Sequence, residues 1–281
     1  MNWKSFIGVL TYFAMNLLLL WAFFAQGSST LMYELVLLYA LTIIVSLSPV
    51  GEWVLCVLAG AKPIPRKDMN VKLIPLVEVV LNKAKKEMPP MVSSVKIRFI
   101  DDPSPMAYAL GRRTICVTEG LLRLSDEDIM GALSHEMGHL AYRHTTVHLL
   151  IGGGNILITG FVFLIKLALK IITFLSGISI FGQNSRVAGI IMTVFTAIVH
   201  ILVSAWTKVS MAFLCWSKRE NEFIADKFAY EIGFGNELAS VLDKLHAPQN
   251  STFIQTLFNE HPSVHERIGR LQNLGSTYFR Y

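Results

Sequence analysis

The chain has 281 residues, 53% hydrophobic and 16% charged, with a net charge of +5 and a mean hydropathy of +0.49. An ordinary soluble domain carries about 25% charged residues, so this composition excludes a disordered chain and argues against a purely aqueous globule. The basic residues form no continuous block and do not alternate with aromatics. That speaks against a nucleic-acid partner and leaves membrane orientation as the use of the positive charge.

Ser5 to Ala25 contains no charged residue, a length that crosses a hydrocarbon core of about 30 Å at about 1.5 Å per residue. Lys4 would suit the n-region of a signal peptide, but the run is too long and no small-residue cleavage site follows it. A second apolar run, Leu35 to Gly51, closes near Pro49 and Glu52 and extends with a break to Gly60, completing a hairpin. A third begins near Ile156 and passes Phe174, and a fourth goes from Val187 to Trp216. Lys166, Lys170, His200 and Lys208 interrupt these two, and with no acidic partner on either run the lysines read as snorkelling to headgroups. The connecting loop Gln26 to Glu34 has no Lys or Arg, and Ser176 to Arg186 has only its last residue. By contrast, Lys62, Arg66, Lys67 and Lys72 follow the second run, and Lys218 and Arg219 follow the fourth. This bias predicts four membrane spans with both termini and both polar segments cytoplasmic.

The polar segments, about Ala61 to Leu149 and Ser217 to Tyr281, suit one domain folded around an inserted hairpin. The expected division is therefore an N-terminal hairpin over 1–60, a first part of the polar domain over 61–150, a second hairpin over 151–216 and a second part over 217–281. Leu76 to Glu87 has helical spacing, with Leu76, Val77, Val80, Leu81 and Ala84 three and four apart. Val95, Ile97 and Phe99 alternate with Lys96 and Arg98 as in a half-buried strand. Ala107 to Leu110 and Thr114 to Thr118 read as two short strands around Gly111-Arg112-Arg113. Ser125, followed by Asp126, Glu127 and Asp128, is a helix start with an N-cap and acids at the positive dipole end. The fold class is α+β, mainly helical with a small sheet. Cys56, Cys116 and Cys215 lie far apart in sequence and are odd in number, which gives neither a disulfide framework nor a Cys-x-x-Cys metal pair.

The helix starting at Ser125 carries His135-Glu136-Met137-Gly138-His139. Residues i and i+4 share a helix face, so both imidazoles reach one metal ion while Glu136 sits beside it. A catalytic zinc site needs three protein ligands and an open position. Glu222 and Asp226 are also four apart on one helical face, so Glu222 can complete the ligand set and Asp226 can accept a hydrogen bond from the far nitrogen of a ligand histidine. Glu220 is off that face. His144, five after His139, is read as well around the helix and not as a ligand.

These motifs, their order, the bracketing apolar hairpins and the tail His261-Pro262-Ser263-Val264-His265-Glu266-Arg267-Ile268 resemble the M48 metallopeptidases, in particular the HtpX branch of bacterial membrane-bound heat-shock proteases. The resemblance covers nearly the whole chain. It implies a zincin-like, gluzincin-type catalytic domain with Zn²⁺ held by His135, His139 and Glu222, and it puts His261 and Arg267 near the active site. There they would stabilise an oxyanion or fix the groups around the metal. Ala107-Tyr108-Ala109 resembles the family's substrate-pairing edge strand, with Met106 where the family usually has Asn.

The expected activity is zinc-dependent endoproteolysis with Glu136 as general base. The expected partners are polypeptide substrates, chiefly misfolded or damaged membrane proteins and their cytoplasmic loops, together with the lipid bilayer of a bacterial-type inner membrane. A prenyl-protein-type protease is the enzymatic alternative, but it needs more spans than this chain accommodates. A transporter using Lys166, Lys170 and Glu34, or a metal-binding scaffold without activity, belongs to another class, and the intact Glu136 argues against the scaffold.

Overall fold

The computed structural model describes residues 3–24, 29–87, 91, 93–147, 149–150, 219–244 and 262–278, together with isolated helical positions between 160 and 205. The third and fourth apolar runs lie almost wholly outside the described residues, as does His261.

Helices α1 (Trp3–Phe24) and α2 (Ser29–Leu47) form the N-terminal hairpin. α2 begins inside the segment expected to be a loop from Gln26 to Glu34, because Leu31 and Tyr33 continue the apolar run and the single charge of Glu34 does not interrupt the helix. Among the described residues α2 is the one helix long and apolar enough to cross a membrane, and only 11% of its span is buried. The two helices are tied by a polar contact: Asn16 is fully buried and its amide donates to the Tyr39 hydroxyl at 2.9 Å. Pro49 lacks an N–H and stops α2; Ser48 caps a new helix, α3 (Pro49–Leu58), its hydroxyl accepting from the Val50 N–H at 3.1 Å.

α4 spans Lys67–Glu87, nine residues earlier than the apolar spacing from Leu76 indicated, since Met69 and Leu73 extend its buried stripe across Pro75. A three-stranded sheet follows, with β1 (Lys96–Ile100), β2 (Ala107–Leu110) and β3 (Thr114–Thr118) in the order β1-β3-β2. The wholly buried β3 pairs parallel with β1 and antiparallel with β2, which leaves β2 as a sheet edge. A short α5 (Glu119–Leu122) leads to α6 (Asp126–Ala141). Further along the chain come α7 (residues 219–231), α8 (Gly235–Lys244) and α9 (Val264–Leu274).

One core joins segments far apart in sequence: Leu73, Ile115, Leu133 and Met137 pack with Phe228, Leu238 and Leu271. α6 runs through its middle, between α4 and α8. Two glycines permit this close packing. A Cβ on Gly131 would lie 2.5 Å from the Glu237 carbonyl, and one on Gly138 would lie 2.9 Å from the Ala225 Cα.

The hairpin docks on this domain at two places. Glu52 of α3, 9% exposed, accepts from the Thr114 hydroxyl and, at 3.4 Å, from the Arg112 N–H, so it is sealed against the β2–β3 turn. Beside it Cys56 and Cys116, distant in sequence, meet in a small buried cluster with Leu110, both as free thiols. Val9 and Tyr12 of α1 pack on Val147, just beyond α6.

Candidate metal centre

α6 is started by Ser125, whose hydroxyl accepts from the Asp128 N–H at 3.2 Å. Asp128 is 2% exposed and takes hydrogen bonds from Ser125, from Ser240 at 2.8 Å and from Lys244 at 2.5 Å. Burial opposes its charge, but these donors outweigh it and hold the carboxyl below its ordinary value. The start of α6 is therefore pinned to α8, and the register of the two histidines ten and more residues later is set from there.

His135 and His139 lie on one face of α6, and α7 brings Glu222 against them. His135 Nε2 and His139 Nε2 are 3.2 Å apart, His135 Nε2 is 3.3 Å from Glu222 Oε2, and His139 Nε2 is 3.3 Å from Glu222 Oε1. A tetrahedral ion with ligands at about 2.0–2.2 Å needs ligand atoms roughly 3.3–3.5 Å apart. The chain thus holds two imidazole nitrogens and a carboxylate at the edge lengths of a four-coordinate site, and no fourth residue converges with them among the described residues. All three ligand atoms are within 4.8 Å of one another. The donor set, neutral imidazole with carboxylate, suits a divalent cation. Glu220 is not one of the three converging residues.

Behind the ligands stands a second layer. His135 Nδ1 is 2.8 Å from Asp226 Oδ1. Arg267 of α9 is 5% exposed and grips Asp226 with two donors, Nε to Oδ2 at 2.8 Å and Nη2 to Oδ1 at 2.6 Å; its Nη1 is 3.7 Å from Glu222 Oε2. Arg267 is not a solvated helix residue, because α9 turns it into the core beside Ile268 and Leu271. Burial opposes the charge on Asp226, yet Arg267 and His135 outweigh it and hold the carboxyl down to about 2. Burial and Arg267 both oppose a charged His135, yet the carboxylates of Asp226 and Glu222, which accept from its ring nitrogens, raise the ring to about 9. In this anionic nest the ring competes for a proton when no cation is there, so cation binding is coupled to proton release.

His144 is the residue that sequence reasoning set aside. α6 ends at Ala141, and Arg143 adopts a positive φ of 57° that turns the chain back. As a result His144 Nδ1 lies 3.1 Å from His139 Nδ1, and its ring is buried and stacked at 15° on Tyr142. Burial first, then the neighbouring His139, push its pKa down to about 2, so the ring is neutral and available as an acceptor. The spacing of five assumed a continuing helix; only the left-handed residue at the helix exit reveals the contact.

Glu136 is 9% exposed and is not one of the converging ligands. Its Oε2 accepts from the Ala109 N–H of β2 at 2.6 Å. In the antiparallel β2–β3 pair Tyr108 and Leu110 alternate with Ala107 and Ala109. The Met106 N–H and C=O turn toward Thr118, as its contacts with the Thr118 hydroxyl at 2.9 Å and N–H at 3.1 Å show. Alternation then turns the N–H and C=O of Ala107 and Ala109 to the free edge, on the side of Glu136. The Met106 sulfur accepts from the Tyr108 hydroxyl at 2.9 Å.

A sequence model of peptidase family M48 matches residues 69–274. A protease HtpX homolog of Campylobacter concisus (strain 13826) is 32% identical, over 78% of this chain and 80% of its own length, and one of Tropheryma whipplei (strain Twist) is 26% identical, over 79% and 78%. The crystal structure of S. mikatae Ste24p aligns with a TM-score of 0.49 at 17% identity, over 95% of this chain and 64% of that one, so this chain spans less than two thirds of its length. The family match extends from α4 through α9 and so includes every residue of the His-His-Glu cluster. The chain belongs to peptidase family M48, as an HtpX-like metalloprotease that uses a divalent metal.

Proposed function

We propose that the protein is a membrane-anchored zinc endopeptidase in which His135, His139 and Glu222 hold the ion and Glu136 is the general base. The observation that carries this reading is the near-tetrahedral spacing of the three ligand atoms, 3.2 to 3.3 Å on each edge. A bound Zn²⁺ supplies Lewis acidity that polarises a scissile carbonyl and acidifies water. The chain's own residues do the rest. Glu136 takes the proton of the attacking water and passes it to the leaving amine, as a carboxylate beside the ligands and outside their set is suited to do. The outer edge of Ala107, Tyr108 and Ala109 receives an extended substrate by strand addition, with Glu136 seated at the Ala109 N–H and specificity from alternate side chains. Asp226 fixes the His135 tautomer, and Arg267 holds Asp226; on this reading Arg267 acts through the groups around the metal and not at the oxyanion. His261 is assigned to the same neighbourhood by the family motif alone.

The gluzincin-type domain is proposed to be split, 61–150 and 217–281, around a second membrane hairpin over 151–216. With the N-terminal hairpin over 1–60 this gives four spans, a cytoplasmic site and substrates drawn from membrane proteins and their cytoplasmic loops in a bacterial-type inner membrane. Support comes from the charge bias of the loops and from the docking of α3 directly on the catalytic sheet through Glu52.

The test is cleavage of an unfolded protein such as casein by detergent-purified wild type loaded with zinc. Chelation abolishes cleavage and zinc restores it, whereas zinc content falls well below one per chain in Glu222→Ala. Full zinc content in that variant removes Glu222 from the ligand set.

A further inference from the structure

A polar cavity lies apart from the metal cluster, where α2 ends. It encloses about 350 Å³ between Leu47 and Pro49, the β2–β3 turn and the chain just beyond α6. Three arginines line it: Arg112 and Arg113 from the turn and Arg143 from the helix exit. No guanidinium among them is ion-paired within the described residues. The one acid in the wall, Glu52, is already occupied by the Thr114 hydroxyl and the Arg112 N–H. Three cations against one carboxylate leave the lining at +2. Hydroxyl-bearing residues, Ser93, Ser94 and Thr146 among them, complete the polar wall.

The location selects the ligand. Leu47 is the last residue of α2, the helix apolar enough to cross a membrane, and Pro49 opens the next helix. If α2 spans the bilayer as proposed above, this cavity sits at headgroup depth with an apolar wall on the lipid side. Guanidinium groups bind phosphate through paired N–H donors, and a residual positive charge discriminates against zwitterionic headgroups. We infer that this cavity binds the phosphodiester headgroup of an anionic phospholipid and thereby fixes the end of α2 against the β2–β3 turn and the exit of the metal-bearing helix.

This inference rests on the membrane reading, and the experiment separates the two. The full chain, carried as Glu136→Gln to suppress self-cleavage, is purified in detergent and titrated with phosphatidylglycerol or phosphatidylcholine under native mass spectrometry. Phosphatidylglycerol is expected to bind at one tight site, with phosphatidylcholine at least about tenfold weaker. At about fivefold per arginine, R112Q/R113Q/R143Q should weaken phosphatidylglycerol about a hundredfold. If that variant does not retain bound zinc, R112Q/R113Q serves instead, with a loss of about twentyfold expected. Equal binding of the two lipids, or unchanged binding in a folded variant, overturns the inference. Inorganic phosphate displacing phosphatidylglycerol at equal concentration overturns the lipid source and leaves a free-phosphate site. Carbonate extraction tests the other reading: a wild-type chain released from membranes refutes the span, whereas one retained without headgroup preference refutes only the cavity.

Discussion

Arg267 and Asp226 form a buried two-pronged ion pair, with Nε–Oδ2 at 2.8 Å and Nη2–Oδ1 at 2.6 Å, both side chains almost sealed from solvent. The same carboxylate is 2.8 Å from His135 Nδ1, so one acid links α9 to the histidine of α6. Removing one partner of a buried pair leaves an uncompensated charge and costs about 3–5 kcal/mol. Lysine cannot reproduce a two-donor grip. Arg267→Lys is therefore expected to lower zinc affinity about 10–100-fold and to reduce thermal stability, while cleavage at saturating zinc falls less than affinity does. Competition with a chromophoric chelator and a thermal-shift series in the same detergent measure both; unchanged affinity would separate Arg267 from the metal cluster.

Glu136 is expected to behave differently from the ligands. Glu136→Gln keeps a polar side chain that fits beside the Ala109 N–H but lacks a basic carboxylate. Casein cleavage should fall about 10²–10⁴-fold with zinc content equal to wild type. Equal cleavage by both proteins, with contaminating proteases excluded, removes Glu136 from the chemistry.

Gly138 lies at a close approach of α6 to α7. A methyl group there would stand 2.9 Å from the Ala225 Cα and 3.1 Å from its carbonyl oxygen, both backbone atoms of the helix that carries Glu222. Because backbone cannot yield as a side-chain tip can, Gly138→Ala should push α7 away, cost about 2 kcal/mol of stability and weaken zinc binding. Isothermal titration with zinc measures the loss, and affinity at the wild-type level would show that the spacing of α7 is not what positions Glu222.

His144 is expected to support His139. With His139 Nε2 turned toward the metal cluster, its Nδ1–H can donate to the neutral His144 ring 3.1 Å away. His144→Phe keeps a somewhat larger aromatic ring and removes the acceptor, so zinc affinity should fall about 10–100-fold. His144→Asn, which keeps an acceptor, should recover part of that affinity; equal weakening in both variants would indicate packing alone.

Asp128 gives a pH signature. Its folded carboxyl is held below the ordinary value near about 3.9, so the stability it contributes is present above the unfolded value and is lost as pH falls through the lower folded value. Asp128→Ala should cost roughly 2 kcal/mol near neutral pH, and the difference from wild type should shrink below about pH 4. Denaturation curves at several pH values test this, and a gap constant from neutral to strongly acid pH would exclude the linkage.

The sequence by itself determined the local features, because each depends on neighbours a few residues away. Helical spacing put His135, Glu136 and His139 together, the Ser125 cap fixed where their helix begins, and the turn Gly111-Arg112-Arg113 separated β2 and β3 at the bounds they have in the fold. Glu222 and Asp226 were legible as one face of a second helix, since four residues make about one turn. Tertiary structure alone decided the rest. His144 reaches His139 only because Arg143 reverses the chain at a left-handed φ, which no spacing rule contains. Arg267 becomes buried because α9 packs that face on Asp226, although the same side chain on an isolated helix would be solvated. Cys56 and Cys116 meet, and Glu52 turns from the end of an apolar run into a buried acceptor, because α3 docks on the sheet. Periodicity fixes which way a side chain faces along its own element; the partner it meets there depends on long-range packing, which one-dimensional spacing does not encode.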